Sequence, residues 1–179
     1  MKNMKKYLFA LLIVVPLLVG CDSLSKLTMF ELPFDQSVTF PAMPALNTPI
    51  PLEITGIKTN IDSVLTSLKL KSDMIQAVKL KKMDFTLSSP ADGDLSFLKS
   101  VEIFITGEGL DDVKIASTGD VTTNTKNVSL ALEDVDLKDF ILKDKFGLKI
   151  ITTTDKATSK EQKINISFKF LVDLKVLGL

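Results

Sequence analysis

The sequence predicts a mainly β fold, an antiparallel β-sandwich of about seven or eight strands with one or two short helices. Apolar residues recur at every second position in several separate runs, as they do in strands that bury one face. Turn-forming residues such as Gly, Pro, Asp and Asn separate these runs at short intervals. We therefore expect a single β-sandwich domain over residues 34–179.

The first part of this domain predicts an edge strand and then a short helix. Ile50, Leu52 and Ile54 alternate with polar residues, and Pro51 between them has no backbone N–H to donate to a neighbouring strand. Asn60, which follows this strand, is a residue type that often caps helices. Apolar residues then repeat at helical spacing, at Ile61, Val64, Leu65 and Leu68.

The middle of the chain predicts a series of strands and a second helix. The alternation over residues 78–87 changes register by one residue near Lys82, which predicts a β-bulge. Asp136 can cap a short helix that contains Phe140. A turn is expected at 89–94, with further strands at 101–105, 113–115 and 128–132.

The C-terminal part contains the longest alternation. A strand is predicted over residues 146–152, and the polar run 152–163 is predicted to form a hairpin loop after it. The even positions that follow are all apolar: Ile164, Ile166, Phe168, Phe170, Val172, Leu174 and Val176. At about 3.3 Å per residue, such a strand is roughly 43 Å long and crosses a whole small sheet.

This pattern of strands has a known counterpart. Residues 34–179 resemble the late-embryogenesis-abundant type-2 β-sandwich, which also has a small helix among its strands. The resemblance rests on the order of strands and helix, without a diagnostic motif. It therefore implies a fold and assigns no functional residue.

The start of the chain has the features of a targeting signal. Lys2, Lys5 and Lys6 precede an apolar run over residues 7–19, shorter than the roughly twenty residues that span a bilayer. The run closes with Leu18-Val19-Gly20-Cys21. This succession of basic, apolar and small residues before a cysteine resembles a bacterial lipoprotein signal peptide with its lipobox.

The lipobox resemblance implies a cellular location for the protein. Residues 1–20 would be a cleaved signal peptide, Cys21 would carry acyl chains, and residues 21–33 would form a lipidated tether. Several acyl chains anchor a protein firmly, so the expected location is a membrane of the bacterial cell envelope, with the domain facing the periplasm or the cell surface. The outer membrane is favoured over the inner one. The alternatives are an uncleaved anchor or an ordinary secretory signal.

The composition argues against several classes of function. The chain has no His, Arg or Trp, and its one Tyr, Tyr7, lies in the signal. It therefore lacks the most common general base and metal ligand, and also the side chains that most often bind phosphate or stack on bases. The precursor has 22 basic and 22 acidic residues, so cleavage of its lysine-containing signal leaves a weakly acidic domain. We expect no enzymatic activity, no cofactor or metal, and no nucleic-acid partner.

Three clusters of residues are candidate catalytic or binding sites. Ser96-Phe97-Leu98-Lys99 has the Ser-x-x-Lys spacing of serine acyl-transfer enzymes, but the companion motifs are missing and the same spacing recurs at 23–26, so we interpret it as a turn into a strand. Acidic residues that could bind calcium are typical of turns. They lie at Asp92, Asp94, Glu108, Asp111, Asp112, Glu133, Asp134, Asp136 and Asp139.

The third cluster is a basic stretch that could contact anionic lipid head groups. It consists of Lys69, Lys71, Lys79, Lys81 and Lys82. Because Val78 and Leu80 alternate with the lysines beside them, a solvated strand face is the favoured interpretation.

Two functions remain open for the domain. The first is a non-enzymatic binding or structural role in the envelope, with a protein or polymer partner. The alternative is a carrier that holds an apolar, lipid-like ligand between the sheets. The phenylalanines and methionines of the chain could line such a cavity, or they could fill a dry core.

Replacement of the anchoring cysteine tests the predicted lipidation. In Cys21→Ser we expect an unlipidated protein that is an uncleaved precursor or is found in the soluble fraction, because the acyl chains need the thiol. Membrane fractionation and the mass of the chain measure this outcome. A mutant that is still fully processed and membrane-bound would contradict the lipobox assignment.

Overall fold

The computed structural model describes residues 28–121 and 124–175, and these residues form a β-sandwich. The strands are β1 (Met29–Phe40), β2 (Ile50–Lys58), β3 (Ile75–Ser89), β4 (Leu98–Gly107), β5 (Leu110–Thr118), β6 (Asn127–Ser129), β7 (Ala131–Leu132), β8 (Lys145–Thr154) and β9 (Gln162–Leu174). The helices are α1 (Ile61–Ser67) and α2 (Lys138–Ile141), with a 3₁₀ turn at Ser72–Met74.

Two antiparallel sheets make up the sandwich. One has four strands in the order β1-β9-β3-β6, and the other has five in the order β2-β8-β4-β5-β7. This arrangement confirms the predicted fold class of a mainly β sandwich with short helices.

Strand β9 confirms the long C-terminal alternation as far as Leu174, and the last residue of the predicted alternation, Val176, lies outside the described residues. It lies between β1 and β3 in the four-stranded sheet, and its even residues from 164 to 174 are buried. The residues between them on the other face are exposed or half-buried. This period of two arises because successive side chains of a strand point to opposite faces of the sheet.

A cluster of phenylalanine rings joins the two sheets. The ring of Phe34 on β1 lies 5.4 Å from that of Phe146 on β8 and 5.3 Å from that of Phe168 on β9. Phe170 completes the cluster, with its ring 5.8 Å from that of Phe146. Most of these contacts are edge-to-face, a geometry that aromatic pairs favour.

A proline lies on an edge strand of each sheet. Pro51 lies on β2, which is an edge of the five-stranded sheet, as predicted. Pro33 lies on β1, an edge of the four-stranded sheet that pairs with β9 along its whole length. Because β1 begins at Met29 and buries Leu32, the sandwich includes residues 29–33, which the sequence assigned to the tether.

The predicted hairpin loop at 152–163 is wrong. β8 pairs with β2 and β4, whereas β9 pairs with β1 and β3, so the connection passes from one sheet to the other. Thr152 and Thr154 continue β8 with buried side chains, and their hydroxyl groups have no hydrogen-bond partner among the described residues. Threonine packs well in a strand because its side chain is β-branched, yet a polar run of sequence resembles a loop.

The strand predicted over 128–132 is divided between the sheets. β6 pairs with β3 in the four-stranded sheet, and β7 pairs with β5 in the other. Leu130 lies between them and is buried. A chain that crosses from one sheet to the other in this way forms a corner of the sandwich.

The helix and bulge predictions have mixed outcomes. Asn60 precedes α1, but it has a left-handed backbone conformation and makes no side-chain cap hydrogen bond, so the predicted cap is wrong. The N-cap residue of α2 is Leu137, which makes no side-chain cap hydrogen bond, so the predicted cap at Asp136 is also wrong. Asp136 lies one residue earlier, and its Oδ1 accepts hydrogen bonds from the backbone N–H groups of Lys138 (3.0 Å) and Val78 (2.9 Å). The bulge is confirmed between Leu80 and Lys82.

The burial of β9 generates a stability prediction. Phe170→Asp places a carboxylate among buried rings, so the free energy of unfolding should fall by about 4 kcal/mol or more, a large part of the roughly 5–15 kcal/mol that stabilises a typical domain. The matched control is Asn165→Asp, which puts the same side chain on the exposed face of β9 and should change stability little. Chemical denaturation measures both, and equal losses would contradict the assignment of faces.

Candidate functional site

The predicted lipidation site, Cys21, lies outside the described residues, as does the whole lipobox. Within the described ranges, no helix has the length and apolar character needed to cross a membrane. The described structure begins at residue 28, just before β1.

The Ser-x-x-Lys motif does not form a catalytic pair. Ser96 lies in a turn, where its backbone N–H donates to Oδ1 of Asp94 at 2.7 Å. Lys99 lies on β4, and its Nζ is 3.4 Å from Oδ1 of Asn47. Phe97 and Leu98 are buried and lead into β4, which confirms the interpretation as a turn before a strand.

Four of the nine candidate acidic residues form separate ion pairs in the described part of the chain. In the ranges 28–121 and 124–175, no group of three or more His, Cys, Asp or Glu residues is arranged to hold a metal ion. The pairs join Asp92 to Lys160 (2.9 Å), Asp112 to Lys149 (2.7 Å), Glu133 to Lys114 (3.3 Å) and Asp134 to Lys79 (2.5 Å). Each carboxylate therefore interacts with an ammonium group of a different part of the fold.

The basic stretch divides into two parts. Lys79, Lys81 and Lys82 lie on the exposed face of β3, which confirms the predicted solvated strand face. Their ammonium groups pair with Asp134, Glu31 and Asp84 at 2.5–2.6 Å. Lys69 and Lys71 lie before β3 in the connection that leaves α1.

Glu31 is the centre of the exposed face of the four-stranded sheet. Its carboxylate lies on β1 and pairs with Lys81 of β3 at 2.6 Å and with Lys169 of β9 at 3.1 Å. Hydrogen bonds from Lys81 and then Lys169 hold the pKa of Glu31 below its usual value of 4.5. One carboxylate thus connects three adjacent strands.

A surface cavity of about 550 Å³ opens where β2, β4 and β8 come together. A second cavity of about 390 Å³ lies next to it, beside α1, and Asp144 and Lys145 line both. We call the two together the polar groove. Its lining consists of Thr55, Gly56, Lys58, Thr59, Asn60, Ile61, Asp62, Ser63, Thr106, Gly107, Glu108, Lys143, Asp144, Lys145, Phe146 and Gly147.

Two local features shape the polar groove. The Thr59 hydroxyl donates to the carbonyl oxygen of Lys143 at 2.7 Å, which holds the loop before β8 against the end of β2. At Gly147, an added Cβ would lie 2.5 Å from Oγ1 of Thr106 and 2.9 Å from the carbonyl oxygen of Ile54. The absence of a side chain there allows the three strands to pack closely.

The chemistry of the polar groove suits a polar ligand. Lysine ammonium groups and Asp and Glu carboxylates both line it, so it offers hydrogen-bond donors and acceptors without a strong field of one sign. The sequence does not predict this groove, because its residues come from separate parts of the chain. A glycine inside a strand, Gly147, was the one local signal of close backbone approach.

Comparisons with known proteins found only distant similarity. No protein-family profile matches the chain, and no curated protein matches it. Among solved structures, it is similar to a Desmodium yellow mottle tymovirus structure, with 10% identity and a TM-score of 0.30 over 84% of this chain and 90% of that chain. It is also similar to the BFDV capsid protein, with 8% identity and a TM-score of 0.36 over 80% of this chain and 99% of that one.

A third similar structure is the Drosophila NLP core, at 12% identity and a TM-score of 0.28 over 76% of this chain and 97% of that one. These TM-scores are too low to support any inference about the function of this chain.

The environment of Glu31 generates a pH prediction. Because its pKa is lowered in the folded state, this carboxylate stabilises the fold above its ordinary pKa of 4.5, and the contribution is lost as the pH falls through the folded-state pKa. Glu31→Gln should therefore have a lower thermal midpoint than the wild type at pH 7, and the two midpoints should converge in acid. A matched control is Glu161→Gln, since Glu161 is exposed and forms no ion pair in the described part of the chain. A Glu31→Gln difference that persists in acid would contradict this account.

Proposed function

We propose that this protein is a non-enzymatic lipoprotein of the bacterial cell envelope, attached to the membrane through acylated Cys21. Its β-sandwich acts as a binding or structural module. The lipobox pattern at 18–21 supports the anchor, and the described sandwich begins a few residues after that cysteine. The polar groove is the surface on which a polar protein or polymer partner would bind.

The proposal is supported mainly by the position of the open space in the structure, which lies at the surface. Between the sheets, the rings of Phe34, Phe146, Phe168 and Phe170 are in mutual contact at centroid distances of 5.3–6.3 Å. The polar groove, by contrast, lies at the surface among charged side chains. A packed interior and a polar surface groove suit a module that binds through its surface.

The carrier alternative needs a different interior. A lipid-like ligand requires an apolar cavity of several hundred cubic ångströms that covers most of its surface. The phenylalanine cluster lies between the sheets, and the cavity of about 350 Å³ beside Phe34, between β1 and β2, is lined by Asp35, Lys58 and Asn60 as well as by apolar residues. A carrier would therefore have to widen this opening by separating β1 from β2 and β8.

Cargo measurements separate the two functions. Mature Cys21→Ser protein is used, so that the anchor itself is not counted as cargo. Native mass spectrometry should give the mass of the bare chain, and the thermal midpoint should not change with added fatty acid or lysolipid. A ligand that binds only the folded state must raise that midpoint. A stoichiometric co-purified lipid, or a midpoint that rises with lipid concentration, would establish the carrier instead.

A further inference from the structure

We propose that one end of the sandwich is a contact surface for an anionic bilayer, so that the domain stands end-on on its membrane. The inference rests on the proposed function, because it takes Cys21 as the anchor. We call this surface the tethered end. It consists of Met29, Leu68, Lys69, Lys71, Met74 and Lys175.

Backbone hydrogen bonds bring most of these residues together where the chain enters the fold. The carbonyl oxygen of Thr28 accepts from the N–H of Leu174 at 2.8 Å, at the last residue of β9. The N–H of Lys175 then donates to the carbonyl oxygen of Met74 at 2.7 Å. The N–H of Met74 in turn donates to the carbonyl oxygen of Lys71 at 3.1 Å. The entry point of the chain and the connection before β3 are therefore neighbours.

The length of the tether keeps this end close to the anchor. Residues 22–28 separate Cys21 from β1, and at 3.3–3.6 Å per residue they reach at most about 25 Å. The opposite end lies farther away by the length of the strands, since β1 alone has 12 residues. The tethered end is thus the part of the domain that meets the head groups most readily.

The tethered end has exposed apolar side chains. Among the described residues, the exposed large hydrophobic side chains are Met29, Leu46, Leu68 and Leu132. Leu68 is the most exposed of them at 48%, and Met29 is 39% exposed. Both belong to the tethered end, where apolar side chains can enter the boundary between head groups and acyl chains.

The lysines of this end are available for lipid phosphate groups. Lys69, Lys71 and Lys175 form no ion pair within residues 28–121 and 124–175, although Asp73 lies on the same connection and Asp173 lies opposite Met29 in the β1–β9 pair. The lysines on the face of β3 are, in contrast, all paired with carboxylates. Unpaired ammonium groups beside exposed Met and Leu side chains are the combination that binds an anionic membrane surface.

A fluorescence experiment on the lipidated full-length protein tests this orientation. The acylated Cys21 leaves no free thiol, so Leu68→Cys and, separately, Ser159→Cys in the loop between β8 and β9 can each carry one environment-sensitive fluorophore. The protein is reconstituted into phosphatidylcholine vesicles with or without phosphatidylglycerol, with a quencher attached to a lipid head group. We expect strong quenching at position 68, weak quenching at position 159, and stronger quenching at 68 when phosphatidylglycerol is present.

Charge reversal supplies the matched comparison. Lys69→Glu combined with Lys71→Glu should weaken membrane contact at position 68 by at least about fivefold, the effect of one lysine near an anionic surface. The control is Lys156→Glu combined with Lys163→Glu, which makes the same change of charge at the opposite end and should leave the quenching unchanged. Quenching at 68 that responds neither to vesicle charge nor to the lysine changes would overturn the proposed anionic contact.

The mass of the reconstituted chain separates the two proposals. A chain whose Cys21 carries no acyl mass would overturn both the anchor and the end-on contact. A lipidated chain with equal quenching at positions 68 and 159 would overturn the end-on contact alone and leave the proposed function in place.

Discussion

The contact of phenylalanine rings across the two sheets is the interaction on which the rest of the structure depends. The only cysteine of the chain is Cys21, so no disulfide can join the sheets, and the sandwich depends on packing. Phe34 and Phe168 from one sheet meet Phe146 from the other at centroid distances of 5.4 and 6.3 Å. Such pairs contribute about 0.5–1.5 kcal/mol each beyond the burial of their surface. They also bring edge strand β1 close to β8, while the opposite, exposed face of β1 forms the Glu31 ion pairs within its own sheet.

The outer faces of the sandwich are organised by ion pairs between strands. Glu31 pairs with lysines of β3 and β9, and on the other sheet Lys149 of β8 pairs with Asp112 of β5 while its ammonium group lies 5.6 Å from the ring centre of Phe104. Hydrogen bonding to Asp112 raises the pKa of Lys149, so it remains charged. Each exposed pair contributes little to stability. Together they occupy several of the acidic and basic groups that are candidate sites in the sequence.

The open surfaces of the molecule differ in chemistry. The polar groove combines lysine and carboxylate side chains around a backbone that Gly147 allows to pack closely, and it suits a ligand with many hydrogen bonds. The tethered end combines exposed Met29 and Leu68 with unpaired lysines, and it suits a lipid surface. Two surfaces of different character on one small domain would allow the proposed lipoprotein to contact its membrane and a polar partner at the same time.

The sequence by itself determined the class of the fold and the positions of most strands, whereas the lipid anchor at Cys21 stays a prediction. These features are local: the alternation in β9, the bulge near Lys82 and the edge position of Pro51 follow from side-chain direction and backbone hydrogen bonding within one segment. Tertiary structure alone decided which sheet each strand joins. It placed β8 and β9 in different sheets and turned the chain at Leu130, because strand partners are chosen by the burial of apolar faces from distant segments. The polar groove has the same origin, since only the packing of β2, β4 and β8 brings its lining together.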